Sequence, residues 1–186
     1  MTTRTFTTPR EFAAAFVDVA SEKHDELARM WLTKRPYTTF ILGTVFPLVA
    51  TKLGLQAWIR NYYYLDSVFF REIDTTNFHS DVMNATYFEV ALEHEHDITG
   101  TAQEIIKLQV FNAPLKVLIT YDTTDQERNT HLKQYEEIVK SADIFSDAAT
   151  RRRQLVIFGR KDSVNNIEWS PYVYEEAGFV SLPIHI

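Results

Sequence analysis

Apolar residues recur at helical spacing over the first third of the chain and at strand spacing after it. Phe12, Phe16, Ala20 and Leu27 predict a helix from about Pro9 to Lys34, with Pro9 suited to a first helical position and Pro36 as its stop. A second, very apolar helical region is predicted from Thr38 to Leu53, kinked or divided at Pro47 and capped by Gly54. At Trp58 the period changes. WIRNYYYLDSVFFREI is rich in aromatic and β-branched residues and reads as one long strand or two short ones. DTTNFHSDVMNA is a polar connector, and Tyr87 to Glu95 is the next strand, antiparallel to the last if the connector closes a hairpin.

TAQEIIKLQVF, after Gly100, predicts a helix whose broad apolar face holds Ala102, Ile105, Ile106, Leu108 and Val110. LKVLITYD (115–122) is a nearly continuous apolar run, as expected of a central parallel strand. Strand, helix and strand in this order make a right-handed crossover with both strand C-termini at one sheet edge. A helix over 127–142 follows, then a strand at 154–158 and edge strands near 169–173 and 179–182. The expectation is an α/β fold in a single domain spanning 1–186, with residues 1–57 mainly helical and 58–186 forming a mixed central sheet flanked by helices.

Composition narrows the chemistry. With no cysteine there is no disulfide framework, thiolate zinc site or thiol nucleophile. The five glycines have no phosphate-loop or dinucleotide spacing, and neither GxSxG nor HExxH occurs. The N-terminus lacks the apolar core of a signal peptide, and FILGTVFPLVA (40–50) is too short to cross a bilayer, so a soluble cytoplasmic protein without membrane contact is expected. A formal net charge of −6 does not mark a nucleic-acid binder globally. The densest cationic cluster is Arg151-Arg152-Arg153, with Arg160 and Lys161 across the following strand. The aromatic segments YYY (62–64) and WSPYVYEEAGF (169–179) are either core or the interface of a homodimer.

The candidate chemistry sits in EHEHD, residues 93–97. Strand alternation puts Glu93 and Glu95 on one face and His94 and His96 on the other. Near the C-terminal edge of a parallel pair, two carboxylates can share a hard divalent ion or flank a reacting phosphate. Asp66 lies inside YYYLDSVFF, where burial demands a partner, either a cation such as Arg60 or Arg71 or a shared site. If its strand is antiparallel to the next, Asp66 can approach Glu93. The bland reading of EHEHD is a hydrated strand end. A zinc reading through His94 and His96, with His79 or a more distant histidine, is weaker than His94 as a packed or hydrogen-bonded residue.

Taken together, a strand with Asp66, a strand ending in Glu93-His94-Glu95, a helix and an apolar strand resemble the PD-(D/E)XK, or restriction-endonuclease-like, nuclease superfamily over roughly Asn61 to Asp122. The resemblance implies a mixed sheet flanked by helices and metal-assisted phosphodiester hydrolysis, with DNA as the partner. It implies one or two Mg²⁺ (or Mn²⁺) ions held by Asp66, Glu93 and the carbonyl of His94. Glu95 stands where the family has its lysine, so the charge-stabilising lysine must come from elsewhere or be absent, and the resemblance leaves Glu95 or a residue of the following helix to orient the attacking water. Lys107 and Gln103 are the candidates there. The wheel sets Lys107 nearly opposite the apolar face and Gln103 beside it, while Lys116 begins its strand away from the site. Asp74 and Asp81 are fallback carboxylates. The alternative is a catalytically degenerate nuclease fold that binds nucleic acid or protein as a regulatory module.

Overall fold

The computed structural model describes residues 5–31, 33–59, 64–71, 87–142, 153–176 and 178–184. The chain is an α/β protein in which an N-terminal helical region precedes a seven-stranded mixed sheet with interspersed helices.

Helix α1, Pro9–Glu22, opens on a capping box: Glu11 N–H donates to Thr8 Oγ1 at 3.2 Å, and Thr8 N–H donates to the Glu11 carboxylate at 2.8 Å. Where one helix is predicted to run to Lys34, the chain breaks at Lys23 and continues as α2, His24–Met30. Pro36 does not stop a helix. It lies in the first turn of α3, Lys34–Phe40, where a missing N–H leaves no hydrogen bond unmade. A π-helical turn, Ile41–Val45, joins α3 to α4, Phe46–Lys52, and its wider winding lets Pro47 follow without ending the helix. Gly54 has a φ of +66°, with Leu55 N–H donating to Ala50 O at 2.8 Å, so it closes α4 as the sequence predicts.

The strands are β1 (Gln56–Trp58), β2 (Ser67–Phe70), β3 (Val90–His94), β4 (Leu115–Tyr121), β5 (Gln154–Lys161), β6 (Ile167–Glu175) and β7 (Gly178–Ser181), in that spatial order. β1, β2 and β3 are antiparallel, β3, β4 and β5 parallel, and β6 and β7 antiparallel again. The parallel pairs are bridged by α5 (Thr101–Val110) and α6 (Asp125–Ala142). The segment from Trp58 to Ile73, read as one long strand or two short ones, holds two short strands among the described residues, the end of β1 and the whole of β2. β5 and β6 are longer than predicted, and β6 is an inner strand covered by β7.

Each face of the sheet carries its own core. Phe12, Phe16, Tyr37, Ile41 and Phe46 from the N-terminal helices cover Leu92, Val117, Ile119 and Ile157. On the other face Ile105, Leu108, Leu132 and Tyr135 from α5 and α6 cover Ala91, Leu118, Val156 and Phe158. Alternation along β3 therefore sends Leu92 and His94 toward the first core and Ala91 and Glu93 toward the second. The buried stripe of α5 is narrower than its apolar pattern. Thr101, Ile105 and Leu108 are buried, whereas Ile106 and Val110 are 53% and 80% exposed. Among the described residues, no helix is long and apolar enough to cross a membrane.

Candidate functional site

Asp66 immediately precedes β2. The β2–β3 register pairs Ser67 with Leu92 and Val68 with Ala91, and its continuation sets Asp66 opposite Glu93 on the face covered by α5. The strand pairing alone does not hold the aspartate. Its Oδ2 accepts the backbone N–H of His94 at 2.9 Å. Glu95 N–H donates to Ile119 O in the parallel ladder, so the N–H and C=O of His94 both point away from β4, toward the Asp66 side. A carbonyl and two carboxylates therefore meet at the end of β3.

The fourth and fifth members come from α5. Lys107 Nζ lies 2.9 Å from Glu93 Oε1, also pairs with Glu104, and donates to the carbonyl of Tyr64 at 3.0 Å. Tyr64 reaches that position with a φ of 73°, unusual for an aromatic residue, while its side chain stays 80% exposed. Glu93 is 1% exposed. Burial, and after it the charge of Asp66, pushes its carboxyl up to about 9. Burial also raises Asp66, against the pull of the His94 N–H. For Lys107, burial disfavours the ammonium, but its contacts with Glu104 and Glu93 outweigh that and hold its pKa above the ordinary value.

Three carboxylates against one ammonium leave two negative charges when all are ionised. Burial accounts for most of the rise in the Glu93 pKa, and the charge of Asp66 in that imbalance adds to it. A divalent cation would remove the imbalance, and the oxygens of Asp66, Glu93 and the His94 carbonyl are the hard donors such an ion takes. Among the described residues, no three His, Cys, Asp or Glu side chains are already arranged around a metal position. Lys107 Nζ itself stands between Glu93 and Glu104.

The structure thus brings together Asp66, Glu93, the His94 backbone and Lys107, and adds Glu104, which the sequence reading had not singled out. Its signal was present: Glu104 and Lys107 are three residues apart on one side of a helix. Lys107 is not turned to solvent as the wheel suggested. Gln103 is exposed, and among the described residues no hydrogen bond joins it to the cluster. Glu95 turns back onto its own loop, where Oε1 accepts Asp97 N–H at 2.8 Å. Arg71 pairs with Glu89 at 2.8 Å, not with Asp66. Lys116 is nearly buried at the start of β4, beside Gln109. Arg60, Asp74, His79, Asp81, Arg151 and Arg152 lie outside the described residues.

The His94 side chain faces the opposite core. Its Nε2 is hydrogen-bonded to Tyr121 Oη at 2.8 Å, and burial, with a smaller contribution from His96, lowers its pKa to about 3. It is a neutral, packed imidazole on that side, and only its backbone reaches the carboxylates.

Comparison with models of known protein families and with curated proteins finds no match to this chain.

Proposed function

We propose that this protein is a divalent-metal-dependent nuclease of the restriction-endonuclease-like kind, hydrolysing phosphodiester bonds in DNA. The observation that carries the reading is the meeting of Asp66 and Glu93 through the His94 backbone, with the Lys107 ammonium 2.9 Å from Glu93, beside the carboxyl end of a parallel strand pair. The strand sequence supports it: antiparallel β1, β2 and β3, a crossover through α5, and parallel β4 follow the order that the sequence resemblance implies.

Asp66, Glu93 and the His94 carbonyl would hold Mg²⁺ or Mn²⁺. When bound, such an ion supplies positive charge at a phosphate and lowers the pKa of an attacking water. Lys107 takes the charge-stabilising role left vacant by Glu95, with its ammonium aimed by Glu104 and the Tyr64 carbonyl. The sheet fixes the carboxylates, and burial keeps competing solvent from Glu93.

One observation favours a second reading, a nuclease fold that binds without cleaving. The Lys107–Glu93 and Lys107–Glu104 pairs already neutralise part of the cluster without metal. Two measurements separate the readings. Calorimetric titration with Mn²⁺ should give heat in the wild type that Glu93→Ala abolishes. Plasmid nicking with Mg²⁺ or Mn²⁺ should then be detectable and lost in Asp66→Asn. Metal binding without nicking leaves the non-cleaving reading, and no metal heat in the wild type removes the metal site.

A further inference from the structure

A cavity of about 480 Å³ opens where the carboxyl ends of β3, β4 and β5 meet the N-terminal helices, on the opposite side of β3 from Glu93. That volume lies within the roughly 300–1,000 Å³ typical of small-ligand sites. The carboxyl edge of parallel strands is also where open α/β sheets bind ligands. Trp31, His96 and Tyr121 form its aromatic wall, and Lys34, Arg160 and Lys161 its cationic one.

The charges are unequally occupied. Three carboxylates also line the cavity, and each is held by the protein. Asp122 accepts from both Arg128 and Arg160. Glu127 accepts the N–H and hydroxyl of Thr123 at 2.7 and 2.8 Å. Asp97 accepts the N–H and hydroxyl of Thr99, with Lys34 at 3.6 Å. Lys161 has no carboxylate partner among the described residues, and its Nζ donates to the Ala28 carbonyl at 3.0 Å. Arg160 is paired with Asp122 and, at 2.9 Å, with Asp125, but its Nη2, like His96 Nδ1, is buried without a hydrogen-bond partner among the described residues. Unsatisfied nitrogens and an unpaired ammonium beside aromatic rings suit a ligand with both an anionic group and a planar ring.

We propose that this cavity is a nucleotide subsite, with the base against Trp31 and Tyr121 and the phosphate at Lys161, Arg160 and Lys34. It rests on the nuclease reading only in assigning that nucleotide to the strand whose neighbouring phosphodiester lies at Glu93. The end of β3 and the loop after it serve the two places, with Glu93 on one side of the sheet edge and His96 on the other, so one strand crossing the edge reaches both. The binding of a free nucleotide does not depend on metal or on cleavage.

The test uses the full chain in EDTA with adenosine 5′-monophosphate, followed by calorimetry and by tryptophan fluorescence. The nucleotide should bind, with adenosine and inorganic phosphate each about tenfold weaker or more, since each lacks one half of the recognition. Lys161→Gln, at the half-buried end of β5 and outside both apolar cores, should weaken binding about tenfold. Trp31→Phe, which keeps an aromatic ring against Tyr37 and Tyr121, should remove the fluorescence response. Glu93→Gln should bind the nucleotide as the wild type does. Absence of binding at millimolar nucleotide, or binding unchanged in Lys161→Gln, overturns the subsite, whatever the nicking assay gives. Nucleotide binding in a protein that neither binds metal nor nicks DNA leaves the subsite standing while the nuclease reading fails.

Discussion

Asp66 and Glu93 face each other across the end of an antiparallel strand pair, and the N–H of His94, 2.9 Å from Asp66 Oδ2, ties them together. A hydrogen bond from backbone to carboxylate at this point replaces a ladder bond that β2 is too short to supply. The strand end is therefore shaped around the aspartate, and the arrangement makes specific demands on its neighbours.

Lys107 is the first. If it stabilises developing charge on a phosphate, Lys107→Ala should lower the nicking rate about 10²–10³-fold, while Lys107→Arg retains part of it. Gln103→Ala, on the exposed side of α5, should leave the rate within about twofold. Equal losses in Lys107→Ala and Gln103→Ala would argue that α5 acts only through its packing.

The buried carboxyl of Glu93 gives the fold a pH dependence of defined sign. Its folded pKa, about 9, lies above the unfolded value of 4.5, so the native state binds more protons between them. Stability should be greatest below that window, fall as pH rises through it, and level off above about pH 9. Urea midpoints at pH 5, 7 and 9 should show this decline in the wild type without divalent ions and a smaller one in Glu93→Gln. A Glu93→Gln midpoint that falls as steeply would place the dependence elsewhere.

Lys116 contributes the opposite slope. It is 4% exposed, and burial, aided by Arg153, lowers its pKa to about 8 from 10.5. The cost of the buried ammonium is present in full below pH 8 and is relieved as pH rises from about 8 to 10.5, so this group adds stability with increasing pH. Lys116→Met keeps the length of the chain and removes the charge. It should raise stability at pH 7 by about 1–2 kcal/mol and abolish that rise. Destabilisation at pH 7 would mean that the Gln109 contacts of Lys116, at 3.4 Å, matter more than its charge.

Tyr64 carries strain that a glycine would release. The left-handed backbone costs about 1–2 kcal/mol for an L residue, whereas glycine adds about 0.5–1 kcal/mol of unfolded-state entropy. With the side chain 80% exposed, little packing is lost. Tyr64→Gly should therefore gain up to about 1 kcal/mol in thermal or urea unfolding. A loss of stability would show that the ring itself supports the Lys107 contact.

The pairing of Asp66 with Glu93 was legible in the sequence because two simple rules agree: a buried aspartate needs a partner, and strand alternation decides which residue can be one. The helix was harder. Counting Ile106 and Val110 as buried widened the apolar arc and drew its edge past Gln103. The real stripe, Thr101, Ile105 and Leu108, has its edge on the Glu104 side. A lysine stem is long enough to return from a half-exposed position to a buried carboxylate, which a wheel of Cβ directions does not represent. Pro36 was misread for a related reason: a proline one turn further into a pattern is a stop, but in a first turn it is a start.

The bond between His94 N–H and Asp66 also furnishes a spectroscopic reporter inside the site. An amide proton held by a carboxylate shifts when that carboxylate gains a proton or a metal, so one backbone resonance follows the state of the cluster without any substitution. The imidazole on the other side of the same residue, hydrogen-bonded to Tyr121, gives a second resonance from the core behind the aromatic cavity. A single isotopically labelled histidine would thus report from both sides of the sheet at once.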